Sequence, residues 1–421
     1  MEWALAVVAG AILAYAAVSR RLVGTPITPA IVFVAVGLIA SPREIGLIGP
    51  SAAHYVRLAA EATLTLVLFS DASRIDLRLL RREYAVPARL LGIGLPLTIL
   101  LGAAIAAVAF GALSLSEAVV LSVLLAPTDA ALGQAVVTEP RLPSRIRQGL
   151  NVESGLNDGI CVPLLLITLA IAEASAGETG AHHAAAIVIE QLGYGMAAGA
   201  LAGAIGAAIA ILASRHQAIE PDWMQIVPVG TALLAYGVAV PLGGSGFIAA
   251  FVAGATFGTI RHGAGGQVSF LADQAGEMLD GLTFLLFGAL LLAPALSDVS
   301  WRVVAYSVAS LTVVRMLPVA VALAGTHARW RTVAFVGWFG PRGLASIVFA
   351  IIVVEESGLP HTNTILVVTF ITVGISVLAH GITAAPLADR YAGWITSHPH
   401  ISPDAMERVQ VAEQPWRRAR L

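Results

Sequence analysis

The sequence predicts an all-α polytopic membrane protein of 13 transmembrane helices, built as two inverted six-helix repeats with two crossing broken helices. Three observations predict it. The 421 residues are 57% hydrophobic and 12% charged, with a mean hydropathy of +0.84, whereas soluble domains carry about 25% charged residues. Apolar segments long enough to cross a bilayer, about 17 to 25 residues each, recur along the whole chain. Arginines gather in alternate connections between those segments, as cytoplasmic loops require.

The spans run at about 3–18, 27–40, 55–70, 86–110, 116–138, 147–172, 186–213, 223–240, 245–260, 275–295, 301–325, 331–355 and 362–387. The first begins Met-Glu-Trp with no basic leader or small-residue cleavage site, so it reads as a span and not a removable signal peptide. On one side of the membrane lie Arg20 and Arg21, then Arg74, Arg78, Arg81 and Arg82, then Arg141, Arg145 and Arg147, then Arg215, Arg261, Arg329 and Arg331, and five more in the tail. Those are 18 arginines against three on the other side, Arg43, Arg57 and Arg302. The bias puts the N-terminus outside and the C-terminus in the cytoplasm of a bacterial-type inner membrane.

Spans 5 and 12 are interrupted near their midpoints, at Ala126-Pro127-Thr128-Asp129 and at Gly340-Pro341-Arg342-Gly343. Proline there removes a helix hydrogen bond and frees backbone groups that must be satisfied inside protein. The two breaks are an odd number of spans apart, so they face opposite sides of the membrane. Residues 1–172 then form one repeat, 223–388 the other, the span at 186–213 connects them, and 389–421 is a short polar cytoplasmic tail. Paired broken helices point to a transporter's midplane site.

Composition excludes several activities. All 24 basic residues are Arg, so neither Schiff-base chemistry nor a P-loop lysine is available. Cys161 stands alone, which rules out an internal disulfide and a thiolate metal cluster. No basic run is interleaved with aromatics, which excludes a nucleic-acid surface, and no cofactor is implied. His182-His183 falls in a presumed external loop without a metal partner at ligand spacing.

The segment Asn151 to Gly159, NVESGLNDG, places Glu153, Ser154, Asn157 and Asp158 inside span 6. At about 100° per residue, Ser154 and Asp158 share one face and Glu153 and Asn157 the next. An acid near the bilayer centre costs about 2.5 to 3.5 kcal/mol and so needs a proton, a cation or a partner. Asp158 is the candidate for binding a monovalent cation or a proton. Thr128 offers a carbonyl or hydroxyl at the break, and Asp129 either caps freed helix ends or joins the site. Glu153 and Arg342 are candidates for a buried ion pair. Glu61, mid-span in helix 3, either reaches the same cavity as a cation ligand or pairs with an arginine such as Arg315. Gly243-Gly244-Ser245-Gly246 matches the G-x-S-G pattern of intramembrane serine proteases, with His380 as the conceivable base, but a four-residue match at a Gly-rich helix start is weak.

Four motifs, APTDAA at 126–131, ESGLNDG at 153–159, GSGFIAAFVAGATFG at 244–258 and GPRGLAS at 340–346, give the chain its resemblance. It resembles the monovalent cation/proton antiporters of the NhaP and NHE type from about Glu61 to Pro386. The resemblance implies that Asp158 is the ion-binding carboxylate, with Ser154, Thr128 and Glu61 nearby, Asp129 lining the crossing, Glu153 paired with Arg342 and Asn157 holding the crossing together. Electrogenic relatives carry a second Asp where this chain has Asn157, and usually a Lys where it has Arg342. The resemblance therefore implies electroneutral exchange of one cation, expected to be Na⁺, for one proton by a homodimer. Ala130 and Ala131 depart from the proline common after the family's TD pair. K⁺/H⁺ exchange, a symporter or uniporter on the same scaffold, an intramembrane hydrolase at Ser245 and a sensor with a vestigial site are the alternatives.

Overall fold

A computed structural model describes residues 2–22, 24–48, 53–74, 85–177, 181–262, 270–398 and 405–408. Among them the regular elements are all helical, as lipid demands of a backbone that must satisfy its own hydrogen bonds. In chain order they are α1 (Glu2–Leu22), α2 (Pro29–Ala40), α3 (Ala53–Arg74) and α4 (Ala85–Ala109). Next come α5 (Leu115–Leu124), α6 (Gln134–Val137), α7 (Ser144–Ala176), α8 (Ala181–Arg215), α9 (Pro221–Ala239), α10 (Gly246–His262) and α11 (Phe270–Phe287). The last four are α12 (Trp301–Ala322), α13 (Trp330–Trp338), α14 (Leu344–Glu356) and α15 (Thr362–Ser397).

Eight of the described helices are long and apolar enough to cross a membrane, and four shorter ones are apolar. Both expected interruptions are present. α5 stops at Leu124 and helix resumes only at Gln134, while α13 ends at Trp338 and α14 begins at Leu344. Several helices run longer than expected: α1, α3 and α7 extend past both expected ends, α8 starts at Ala181, so the exposed His182 and His183 sit in its first turn and not in a loop, and α15 continues to Ser397. Arg78, Arg81 and Arg82 and most of the tail lie outside the described residues.

Local signals account for the element ends. Thr28 caps α2 ahead of Pro29, Ser114 and Glu117 form a reciprocal capping box at the start of α5, and Gly177 closes α7 at φ +82°. α4 passes through a π turn at Leu90–Gly94, and α12 is interrupted at Thr312, three residues before Arg315.

Two kinds of packing organise the helices. α3, α8, α9 and α10 meet through small residues, among them Ala198, Ala202, Ala232, Ala235, Ala249 and Ala253, which let backbones approach closely where no hydrophobic force operates between helices in lipid. At Gly254 of α10 a Cβ would lie 2.2 Å from the Phe69 carbonyl oxygen of α3. Replacing Gly254 with Ala is expected to cost about 1 to 3 kcal/mol through overpacking, seen as a lowered Tm in detergent, with an unchanged Tm refuting the tight seam. A second, larger apolar cluster joins α2, α3, α5, α7, α11, α14 and α15 around the two breaks.

Candidate functional site

The site is assembled where the unwound segment 125–133 crosses 339–343 and α7 passes beside both. The two segments are bonded directly, with the Asp129 N–H donating to the Pro341 carbonyl at 2.8 Å. Asp129 then caps a turn in its own segment and the start of α14. Its Oδ1 accepts from the Ala131 N–H at 2.8 Å and the Leu132 N–H at 3.4 Å, and its Oδ2 accepts from the N–H of Leu344, the first residue of α14, at 3.1 Å. A carboxylate is stabilised there by the partial positive charge of helix N-termini. Gly343 admits it, because a Cβ at that position would lie 2.0 Å from Oδ2. Of the two roles open to Asp129, this geometry uses its oxygens for capping.

Arg342 is fully buried and serves the opposite polarity. Its Nη1 donates to the carbonyls of Ala126 at 2.5 Å and Pro127 at 3.1 Å. It thereby satisfies acceptors released where α5 ends and offsets the negative end of that half-helix. Its own N–H donates to Ser376 Oγ of α15 at 2.6 Å, tying the second break to that helix.

The expected Glu153–Arg342 pair is therefore replaced. Glu153 receives both guanidinium arms of Arg315, Nη1 at 2.5 Å and Nη2 at 2.8 Å, and both side chains are buried. Gly340 makes the approach possible, since a Cβ there would lie 2.3 Å from Arg315 Nε. The pair joins α7 to α12, and Arg342 is left to the broken backbone.

Asn157 and Ser154 converge on Thr128. The Asn157 side-chain amide donates to the Ala126 carbonyl at 3.3 Å and to Thr128 Oγ1 at 3.4 Å, and Thr128 Oγ1 lies 3.1 Å from Ser154 Oγ. The Cys161 thiol donates to Asn157 Oδ1 at 3.2 Å and holds the amide with its NH₂ toward the break. Asp158 is buried one turn from Ser154 on α7.

Glu61 does not join them. It accepts from Arg57 Nε at 2.7 Å and from the Tyr236 hydroxyl at 3.1 Å, and Arg57 also bonds Glu355 at the end of α14 at 2.6 Å. The acid of α3 that comes to the site is Asp71, whose Cβ lies 3.3 Å from where a Cβ on Gly155 would sit. Ten residues of helix, roughly 15 Å, separate the two acids. Asp71 lay past the expected end of span 3, in the polar run Ser70-Asp71-Ala72-Ser73-Arg74, where an acid reads as a solvated helix end.

The hydrolase pair is not formed. Ser245 Oγ accepts from Ile248 N–H as a cap of α10, whereas His380 stacks on Trp338 at 5.0 Å with Nε2 on the Trp338 carbonyl at 3.0 Å and Nδ1 on Ser376. Among the described residues no group of three or more His, Cys, Asp or Glu is placed to hold a metal ion.

The site offers a buried carboxylate, two hydroxyls and backbone oxygens at a break, the donor set that a dehydrated monovalent cation takes. Comparison with known proteins agrees in kind. The transmembrane profile of the sodium/hydrogen exchangers matches residues 8–390. The chain belongs to the sodium/hydrogen exchanger family. It is an integral membrane protein of a transporter family. Among curated exchangers it is 25% identical over 374 residues to the K(+)/H(+) antiporter NhaP of Alkalimonas amylolytica, covering 88% of this chain and 63% of that protein. It is 26% identical over 385 residues to the K(+)/H(+) antiporter NhaP2 of Shewanella oneidensis, with 88% and 64% covered. The chain thus spans less than two thirds of the length of these relatives. The sodium proton antiporter MjNhaP1 of Methanocaldococcus jannaschii at pH 8 superposes with a TM-score of 0.76 at 20% identity, over 90% of this chain and 98% of that one. The chain therefore has the NhaP-type fold.

Proposed function

We propose that the chain is a secondary antiporter that exchanges a monovalent cation for a proton by alternating access at Asp158. The observation that carries this reading is the buried Asp158 carboxylate beside Ser154, whose hydroxyl reaches Thr128 at the unwound crossing. Asp158, Ser154 and Thr128 are the proposed cation ligands, with Asp71 across Gly155 in the place first given to Glu61. Asn157, Glu153 and Arg342 support the site, now with Arg315 beside them. The relatives, K(+)/H(+) antiporters in one group and a sodium proton antiporter in the other, favour this class and leave both Na⁺ and K⁺ as cargo.

Charge balance favours electroneutral exchange. Glu153 and Arg315 cancel as a bidentate pair, and Asp129 and Arg342 each meet backbone of the opposite polarity across the crossing. In this reading Asp158 is the group that alternates between a single proton and a single monovalent cation, and Asp71 keeps one charge state throughout. In this reading 13 spans form two inverted repeats, α5, α6, α7, α13, α14 and α15 move as a core against a scaffold, and the scaffold is the homodimer interface. The N-terminus faces out and the C-terminus faces the cytoplasm of the inner membrane.

Reconstituted vesicles with a trapped pH dye test it directly. Na⁺, Li⁺ or K⁺ added in turn should dissipate an imposed proton gradient, and a gradient unaffected by all three would refute antiport. Replacing Asn157 with Asp is expected to make exchange respond to membrane potential, because a second ionised group then travels with the core. It also removes the amide donors to Ala126 and Thr128, so the rate should fall. Exchange that stays indifferent to a potassium–valinomycin potential in this variant would refute the one-charge account.

A further inference from the structure

At the far end of the core from Glu355, the start of α13 and the end of α15 border an open cavity of about 380 Å³ lined by Arg329, Trp330, Arg331, Trp394 and His398. No residue of the Asp158 site borders it. The Arg331 guanidinium lies over two indole rings, 5.5 Å from the centroid of Trp330 and 5.4 Å from that of Trp394. Cation–π attraction of this kind spends none of the guanidinium N–H groups on a hydrogen bond, so they stay available to an anion. Among the described residues neither Arg329 nor Arg331 has a carboxylate partner for its side chain. His398 engages Trp394 and Ser397 through Nδ1.

Glu407 is committed to the N-terminus of α13. It accepts from the Arg329 N–H at 2.9 Å and from the Thr332 hydroxyl, and it does not line the cavity. Cationic donors and aromatic walls thus surround a space at the ends of two membrane helices. Trp330 is 74% exposed there, a level at which an indole fits the headgroup layer of a bilayer and not bulk water. Planar arginine donors suit phosphate oxygens bidentately, and basic pockets between membrane helices on the arginine-rich side take anionic headgroups.

We infer that this cavity binds the phosphate group of an anionic phospholipid. A bound headgroup bridges Arg329 and Arg331 of α13 to His398 at the end of α15, so it braces the half-helix that leads into the second break against its neighbour. The inference rests on α13 and α15 being membrane helices and not on the exchange activity.

Native mass spectrometry of the full chain in detergent, titrated with dioleoylphosphatidylglycerol, dioleoylphosphatidylcholine or inorganic phosphate, tests it without any transport assay. The chain should retain the glycerol lipid in preference to the choline lipid. Arg329→Gln with Arg331→Gln should weaken that retention roughly thirty-fold, on the order of 1 kcal/mol for each arginine. Arg331→Lys, which keeps the charge but loses the planar fork of donors, should fall between parent and double variant and covers the case in which the double variant does not fold. Equal retention of the two lipids by the parent, or full retention in the Arg331→Lys and double variants, would overturn the site. Displacement of the lipid by equimolar inorganic phosphate would overturn the lipid as its ligand.

Discussion

Replacing Asp158 with Asn is expected to abolish cation/proton exchange while leaving the protein as stable as before, or more so. The two side chains have nearly the same shape, so the packing around α7 is kept. The ionised acid is removed, and with it an insertion cost of about 2.5 to 3.5 kcal/mol. Ser154 and Thr128 retain their 3.1 Å contact, so the hydroxyl side of the site survives. Transport without a titratable group has nothing to carry the proton back. The measurement pairs dye-reported exchange in vesicles with a thermal melt in detergent. Exchange at a substantial fraction of the parent rate would remove Asp158 from the mechanism. A collapse of Tm would instead show that the acid is structural.

The opposite signature is expected at Glu153 and Arg315. Both are buried, and two short bonds join α7 to α12. Substituting Glu153 by Gln leaves a guanidinium in a low-dielectric interior without its counter-charge, which costs about 3 to 5 kcal/mol. Arg315→Leu should cost a similar amount by stranding Glu153. Replacing both with apolar residues should recover much of the loss, because the desolvation penalty of the pair disappears with the pair. A double-mutant cycle read by thermal unfolding isolates the coupling. Strict additivity of the two single losses would show that they do not act as a pair. If Arg342 were the true partner of Glu153, Arg315→Leu would be nearly silent. Arg342→Leu should instead destabilise the crossing, since it removes donors from the Ala126 and Pro127 carbonyls.

These two experiments separate two carboxylates five residues apart in sequence, Glu153 and Asp158, that composition alone treats alike. One loses function and keeps stability when neutralised. The other loses stability first. The distinction follows from the roles assigned to them: Glu153 holds the Arg315 guanidinium, and Asp158 is the proposed carrier of cation and proton.

Much of this was legible in the residues. Helical spans follow from the length of apolar runs, because lipid leaves the backbone no other way to satisfy its hydrogen bonds. Both breaks follow from Pro127 and Pro341, which each remove a donor in mid-span. The polar segment of α7 announces a site because carboxylates in a membrane need a reason to be there. That Asn157 holds the crossing was implied by the family resemblance, and its amide does reach the Ala126 carbonyl.

Partner choice was not legible, since it depends on which helices touch. Glu153 could meet Arg342 or Arg315 on charge alone. The missing side chain of Gly340 lets Arg315 through, and the freed carbonyls of the first break claim Arg342. Glu61 and Asp71 are both acids of α3 on sequence grounds, yet only the packing of α3 against Gly155 decides which one faces α7, and the pair between Arg57 and Glu61 takes the other away. Sequence by itself determined the membrane class, the two interruptions and the polar segment of α7, because those depend on local hydropathy and backbone valence. Tertiary structure alone decided the pairing of buried charges, because an ion pair is set by the distance between helices that are remote in the chain.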